Sequence, residues 1–170
     1  MRQQTRVLAR CSLLTALGVV LMLTLGFTGV GTYAAPLLAA LLVAMVQEAY
    51  GTKTALTMWL ATGLLALLLV TDRELSVVYL TIFGWYPAVK PHLDRLPRLG
   101  GLLAKLALFN GSAVATYAML IPFLGLEEEM LQPWLLGVML AFGNALFWVE
   151  DRLLLPRLGR VFRKRLKKWF

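Results

Sequence analysis

The sequence predicts an all-α, polytopic membrane protein with six transmembrane helices and both termini in the cytoplasm. Three observations lead to this fold class. Apolar residues fill 59% of the 170 positions, and they are spread along the whole chain. The basic residues between the apolar segments fall almost all on one side of the predicted membrane. Soluble domains are usually about 45–50% apolar. The excess is too large for one water-soluble core, so we expect a single membrane domain.

Six apolar segments come close to the roughly 20 residues that a helix needs to cross a bilayer. The connections between them are short, so the sequence leaves no room for a separate soluble domain. In chain order, the predicted spans are 7–27, 33–50, 53–70, 75–89, 102–124 and 134–154.

The fourth segment is the shortest of the six, and it contains Gly84 and Pro87. We expect it to tilt little, to break near residues 84–87, or to thin the bilayer locally. If it failed to span, the two ends of the chain would lie on opposite sides of the membrane.

The basic residues predict the orientation. Sixteen of the 17 lysines and arginines fall on one side of the six-span arrangement, and only Arg73 falls on the other, where the loops carry Asp72, Glu74 and the glutamates 127–129. Lysine and arginine favour the cytoplasmic side in short loops. Six spans with both ends inside a bacterial cytoplasmic (inner) membrane satisfy this rule, whereas five spans would leave one basic end outside.

The last residues form a basic amphipathic segment. We divide the chain into a six-helix transmembrane domain, 1–156, and a cytoplasmic tail, 157–170. Such a helix suits the anionic inner leaflet. The tail either anchors the topology or docks onto an acidic cytoplasmic partner, and the rest of the chain offers no fold for binding nucleic acid. Its apolar residues at helical spacing are Leu158, Val161, Phe162, Leu166 and Trp169.

One group of ionisable residues lies toward the predicted cytoplasmic ends of four helices. It comprises two acids, Glu48 and Glu150, and two bases, Lys90 and Lys105. Charged side chains at membrane depth are costly and are functional candidates for that reason. They form either a structural ion-pair lock with snorkelling lysines or a gate or contact for a partner.

A second polar group lies nearer the midplane or in the outer half of the predicted spans. Asn110 and Asn144 are candidates for an interhelical hydrogen bond, because an asparagine in lipid needs a partner. The alternative is a substrate-binding pocket open to the outer face. In that case Tyr79 and Tyr117 would contribute to it, with Arg73 at its mouth.

The sequence carries no catalytic signature. It lacks a glycine-rich phosphate loop, a nucleophile elbow and a His-Glu-x-x-His motif. Its single cysteine, Cys11, and single histidine, His92, exclude an intrachain disulfide, a thiolate cage and a histidine-pair metal site. We therefore expect no enzyme, no metal and no cofactor, and any transport would draw its energy from another protein or from an ion gradient.

Six short helices, about 170 residues, tiny loops and both ends inside resemble the S component, the substrate-binding membrane subunit, of energy-coupling factor (ECF) transporters. The resemblance covers the whole chain, as architecture. In that family, small residues on the first helix pack against a transmembrane coupling subunit, and the counterpart here is Ser12-Leu-Leu-Thr-Ala16. The segment Phe83–Lys90 also resembles uncharacterised bacterial membrane proteins of similar topology.

The resemblance implies an S-component-like bundle that takes up a small, vitamin-like solute through a pocket in the outer half. Its partners would be the lipid bilayer, a coupling membrane subunit and cytoplasmic ATPases. The alternative is a non-enzymatic accessory protein that binds a larger machine through the basic tail and the small-residue faces. A membrane enzyme acting on lipid is disfavoured, because the catalytic groups are missing.

Overall fold

The computed structural model describes residues 2–27, 31–124, 133–162 and 164. Every regular element in these ranges is helical, and they contain no strand. Two five-residue π-helical segments, Tyr79–Phe83 and Glu150–Leu154, interrupt the α-helices. The α-helices are α1 Arg2–Leu25, α2 Gly31–Tyr50, α3 Thr52–Leu69, α4 Arg73–Val78, α5 Tyr86–Leu93, α6 Arg98–Leu124, α7 Pro133–Val149 and α8 Leu155–Val161.

Four helices in the described part of the chain are long and apolar enough to cross a membrane. They cover Gln3–Leu25, Tyr33–Tyr50, Thr52–Leu69 and Arg98–Thr116. These segments overlap the first, second, third and fifth predicted spans. The all-helical fold and the four long apolar helices indicate a protein embedded in a membrane.

The first three helices pack on one another around a core of small and flexible side chains. Met22 of α1, Val43 of α2 and Met58 of α3 are almost completely buried between them. The opposite surfaces are apolar as well: Leu13 is 71% exposed and Leu68 is 81% exposed. An apolar exterior of this kind is suited to lipid, which solvates leucine as well as a protein core does.

A second core joins α5, α6 and α7 through aromatic rings. The rings of Phe109 and Phe147 stack with centroids 4.5 Å apart, and Tyr86 meets Phe147 edge-on at 4.7 Å. Phe83 extends the cluster, with its centroid 6.1 Å from that of Phe109. Offset and edge-to-face pairs of this kind stabilise a core beyond their buried area.

The helix of the predicted fourth span is broken near residues 84–87, which is one of the three outcomes expected from the sequence. The π-helical segment Tyr79–Phe83 closes with a hydrogen bond from the backbone N–H of Gly84 to the carbonyl of Tyr79, 2.8 Å long. The chain bends at Gly84 and Trp85, and α5 begins at Tyr86 with Pro87 in its first turn. Proline has no N–H to donate, so an unbroken α-helix would leave a carbonyl unpaired here.

Two indole groups bind backbone carbonyls of this broken helix. Trp59 of α3 donates to the carbonyl of Leu80 at 3.2 Å, and Trp85 donates to the carbonyl of Thr81 at 2.7 Å. Irregular backbone at membrane depth is tolerated where neighbouring groups satisfy it in this way.

The predicted sixth span also ends differently from a plain helix. The π-helical segment Glu150–Leu154 leads without a gap into α8, which again has a proline, Pro156, in its first turn. The boundary proposed between residues 156 and 157 therefore falls inside a continuous helical stretch. In the part of the tail that the structure describes, Phe162 is buried and Leu158 packs against the second core.

Candidate functional site

Four charged residues meet where α5, α6 and the segment after α7 come together, and we call them the ionic cluster: Lys90, Asp94, Lys105 and Asp151. Lys90 lies in α5, and Asp94 caps the C-terminus of that helix one turn later. Lys105 lies in the interior of α6, and Asp151 lies in the second π-helical segment. The cluster borders the aromatic core, because Tyr86 of that core donates a hydrogen bond to Asp151.

Asp151 is the centre of the ionic cluster. Its side chain is only 9% exposed, and both lysines bind it. The ammonium of Lys90 donates to Oδ1, and Nζ of Lys105 lies 3.2 Å from each carboxylate oxygen. The hydroxyl of Tyr86 donates to the same Oδ1 at 2.5 Å. A buried carboxylate with this many donors is well compensated for its lost hydration.

Asp94 forms the more exposed side of the cluster. Nζ of Lys105 lies 2.5 Å from Asp94 Oδ1, and Nζ of Lys90 lies 3.2 Å from Asp94 Oδ2. The side chain of Asp94 is 44% exposed, in contrast to that of Asp151. Each lysine thus bridges both aspartates, and two positive and two negative groups form a network without net charge.

A polar pocket of about 360 Å³ adjoins the ionic cluster. All four members of the cluster line it, together with Arg98 at the start of α6 and Arg152 beside Asp151. The two arginines are exposed and give the pocket lining a surplus of positive charge. The volume falls in the range of small-molecule sites, so the arrangement can hold a small ligand that carries a negatively charged group.

Glu150 is adjacent to Asp151 in sequence but lies in a different environment. It is completely buried, and neither carboxylate oxygen has a hydrogen-bond partner among the described residues. Consecutive residues of a helix point to different faces. Asp151 therefore binds the lysines, and Glu150 is enclosed in the interior.

The expected pairing of the first polar group is only partly correct. The structure does bring Lys90 and Lys105 together, but their acidic partners are Asp94 and Asp151. Glu150 forms no ion pair with either lysine, and neither of its carboxylate oxygens has a hydrogen-bond partner among the described residues. Glu48 lies on an exposed side of α2, close to that helix's end.

The two asparagines of the second polar group form a reciprocal pair across α6 and α7. Asn110 donates to Oδ1 of Asn144 at 3.1 Å, and Asn144 donates to Oδ1 of Asn110 at 2.8 Å. Each amide also donates to the carbonyl one turn earlier in its own helix. Asn110 donates to the carbonyl of Leu106 at 2.9 Å, and Asn144 donates to that of Leu140 at 2.8 Å. Of the two alternatives, the interhelical bond is therefore present.

Two further residues of the expected outer pocket, Tyr79 and Arg73, lie on other elements than the asparagine pair. Tyr79 is fully buried in the first core, and Arg73 is exposed at the start of α4. The side chain of Tyr117 lies outside the described part of the structure. A short hydrogen bond of 2.7 Å between the hydroxyls of Thr116 and Thr81 ties α6 to the first π-helical segment.

Ser12 and Ala16, the expected coupling face, line an open groove between α1 and α3. The groove has a volume of about 740 Å³ and is almost entirely apolar. Both residues are exposed, and Cys11, which is partly buried, lies beside them in the same wall. Small side chains at this spacing let another helix approach closely.

Within the described ranges, no group of three histidine, cysteine or acidic side chains is placed to hold a metal ion. The four ion pairs of the ionic cluster share their charged groups and form one network. Comparison of the chain with family models, curated proteins and solved structures finds no match to any of them.

Proposed function

We propose that the protein is a non-enzymatic, solute-binding subunit of a transport system in a bacterial inner membrane. The observation that carries this proposal is the polar pocket beside the ionic cluster. In this proposal, the pocket holds a small solute with an anionic group, and partner proteins supply the energy for its movement.

The proposed topology has six spans and both ends in the cytoplasm. In this proposal, two interrupted helices, 73–93 and 133–161, form the fourth and the sixth span. At 1.5 Å per residue they measure about 30 Å and about 43 Å, and the hydrocarbon core of a bilayer measures about 30 Å. This topology places the ionic cluster at the cytoplasmic end of the bundle, the side that the positive-inside rule assigns to it.

The pocket supports a binding site over a purely structural ion-pair lock. A lock needs only Lys90, Lys105 and their two aspartates, which already neutralise one another. Arg98 and Arg152 add positive charge beyond this neutral set, and both line a space large enough for a ligand. Nε of Arg152 also lies 4.0 Å from Oδ2 of Asp151, so this exposed arginine links the network to the pocket. Ionisable groups at membrane depth generally mark substrate paths or relays.

The groove between α1 and α3 supports a membrane partner. We assign it to a transmembrane helix of a coupling subunit, as the S-component architecture implies for Ser12 and Ala16. The groove also exposes hydroxyl-bearing side chains, Thr54 and Thr57 among them. A partner helix can hydrogen-bond such groups, whereas an acyl chain cannot.

Purification of the tagged protein from native membranes tests the proposal. We expect cytoplasmic ATPase subunits and an anionic small molecule to be recovered with it, the latter detected by mass spectrometry. The variant Arg152→Gln should lose the small molecule, and the matched control Arg157→Gln, which lies on α8 outside the pocket lining, should keep it. Retention of the molecule by Arg152→Gln at the wild-type level would contradict the pocket assignment.

The same purification tests the groove. Ala16→Leu adds bulk to the wall of the groove, which hinders close approach of a partner helix, and should release the partner subunits. Ala107→Leu, an equal change at an exposed position of α6, should retain them. Equal recovery of the partners with both variants would contradict the coupling role.

One observation favours the accessory protein as a second candidate. Asn110 and Asn144 satisfy each other, so the amides expected to bind a substrate in the outer half are already occupied. Recovery of a different stable membrane partner, with neither ATPase subunits nor a bound small molecule, would replace the transport proposal with this one.

A further inference from the structure

We propose that Glu150 is a proton-binding site of the membrane domain, which holds its proton in the conformation described here. The proposal rests on the placement of this one side chain. Glu150 is 0% exposed, and neither of its oxygens has a hydrogen-bond partner among the described residues. It is independent of whether the protein binds a solute.

The surroundings of Glu150 disfavour a negative charge. The second core contributes Phe147 and Leu155 from the same helical stretch, and both are buried. An ionised carboxylate without a donor in such a place loses its hydration and gains nothing in return. The neutral acid carries a much smaller penalty, so the protonated form is the one that fits this environment.

The charged neighbours of Glu150 do not change this conclusion. Lys90 and Tyr86 face it from α5, and Asp151 faces it from its own segment. Lys90 already binds Asp94 and Asp151, and Tyr86 donates its only proton to Asp151. Lys105 of α6 is bound to the same two aspartates.

The other helices packed against the segment bring apolar groups to this core. α8 contributes the buried Leu155, and α2, which packs against α8, contributes Ala40 and Ala44 to the same core. No cation among the described residues is therefore left to stabilise an ionised Glu150 while the ionic cluster is intact.

Release of the proton follows from the same geometry. Dissociation turns the carboxylic acid into a carboxylate and delivers one proton to water, which reaches the cluster at half-exposed Asp94. The new carboxylate then needs a cation, and Lys90 is the one that faces it. Transfer of Lys90 from Asp151 to Glu150 would break a buried ion pair and rearrange the wall of the polar pocket. Protonation of Glu150 and the shape of the pocket are coupled in this way.

Infrared spectroscopy of the purified, reconstituted protein tests the proposal directly, because a protonated carboxylic acid has a carbonyl stretching band that a carboxylate lacks. We expect such a band at neutral pH in the wild-type protein and its loss in Glu150→Gln. Glu48→Gln is the matched control, since Glu48 is an exposed acid, and it should leave the band unchanged. A band that Glu150→Gln does not remove would overturn the proposal.

Thermal denaturation gives a second readout. Glutamine has the shape of the neutral acid, so Glu150→Gln should shift the melting temperature at neutral pH no more than Glu48→Gln does. A large loss of stability specific to Glu150→Gln would show that the ionised form is needed, and the proposal would fail. Neither measurement requires solute or partner proteins, so failure here is distinguishable from failure of the transport proposal.

Discussion

The ammonium nitrogen of Lys105 lies 3.2 Å from both carboxylate oxygens of Asp151. A lysine about two turns into α6 is thus equally close to both oxygens of an acid in the π-helical segment that follows α7. Lys90 of α5 binds the same carboxylate. Three separate helical stretches are thereby joined at one buried charge, and the stability of this end of the bundle depends on it.

Replacement of Asp151 by asparagine tests that dependence. The change leaves Lys90 and Lys105 without their buried counter-charge, and removal of one partner from a buried ion pair typically costs about 3–5 kcal/mol. We expect thermal denaturation in detergent to show a loss of this order in the free energy of unfolding. Asp94→Asn is the control, because its half-exposed carboxylate should contribute about 1 kcal/mol or less. Equal losses in the two variants would contradict the central role of Asp151.

The asparagine pair predicts a measurable coupling between α6 and α7. Asn110→Leu and Asn144→Leu should each destabilise the protein, because each leaves the other amide without its partner. The double variant should be more stable than the sum of the single losses predicts, with a coupling energy of about 1 kcal/mol. A double-mutant cycle of melting curves measures this, and strict additivity would show that the pair contributes nothing.

A side chain at position 84 should clash with its neighbours at the break in the predicted fourth span. A Cβ at this position would lie 2.6 Å from Cδ1 of Trp59 and 2.7 Å from the carbonyl oxygen of Tyr79, which belongs to the backbone and cannot move away freely. We expect Gly84→Ala to cost about 1–3 kcal/mol.

The control for that change is Gly111→Ala in α6, where nothing lies within 4 Å of the added atom. That variant should be neutral or stabilise the helix by up to about 1 kcal/mol. Denaturation midpoints that move equally for both glycines would rule out the steric explanation.

Cysteine labelling tests the proposed topology. In a Cys11→Ala background, a cysteine at Arg73 should react with a membrane-impermeant maleimide in intact cells. A cysteine at Arg95 should react only after the membrane is opened. Both positions are exposed, so accessibility within the protein does not differ between them. Labelling of position 95 in intact cells would contradict the proposed topology, and either the orientation or the number of spans would have to be revised.

The sequence was sufficient to predict the long helices and, as one of three alternatives, the break in the fourth segment, but not the π-helical segments. Length and apolar composition identified the segments that become α1, α2, α3 and α6, since a membrane-spanning helix depends on little else. The cost of charge in lipid singled out Lys90 and Lys105 in the same way. Gly84 and Pro87 indicated a break in the fourth segment, but the π-helical turn before them has no comparable sequence signature.

The partners of the lysines were missed for a physical reason. Asp94 follows Lys90 by four residues, the spacing of an ion pair along a helix, but it falls in what the apolar pattern treats as a loop. Glu150 and Asp151 are neighbouring acids, and which of them meets the lysines depends on the rotation of a helix whose turn is not regular. The spacing of Lys90 and Asp94 was the one signal that could have been used.

Each π-helical segment accommodates one residue more than the same length of α-helix. Deletion of a single residue from Glu150–Leu154 would therefore restore a regular helix and leave the residues of α8 close to their present faces. The same deletion within α7 would instead rotate everything beyond it by about 100° and turn the basic residues of α8 to another side of the bundle. The π-helical segment is thus the place in this helical stretch where the length of the chain can change by one residue without redirecting the basic segment that follows.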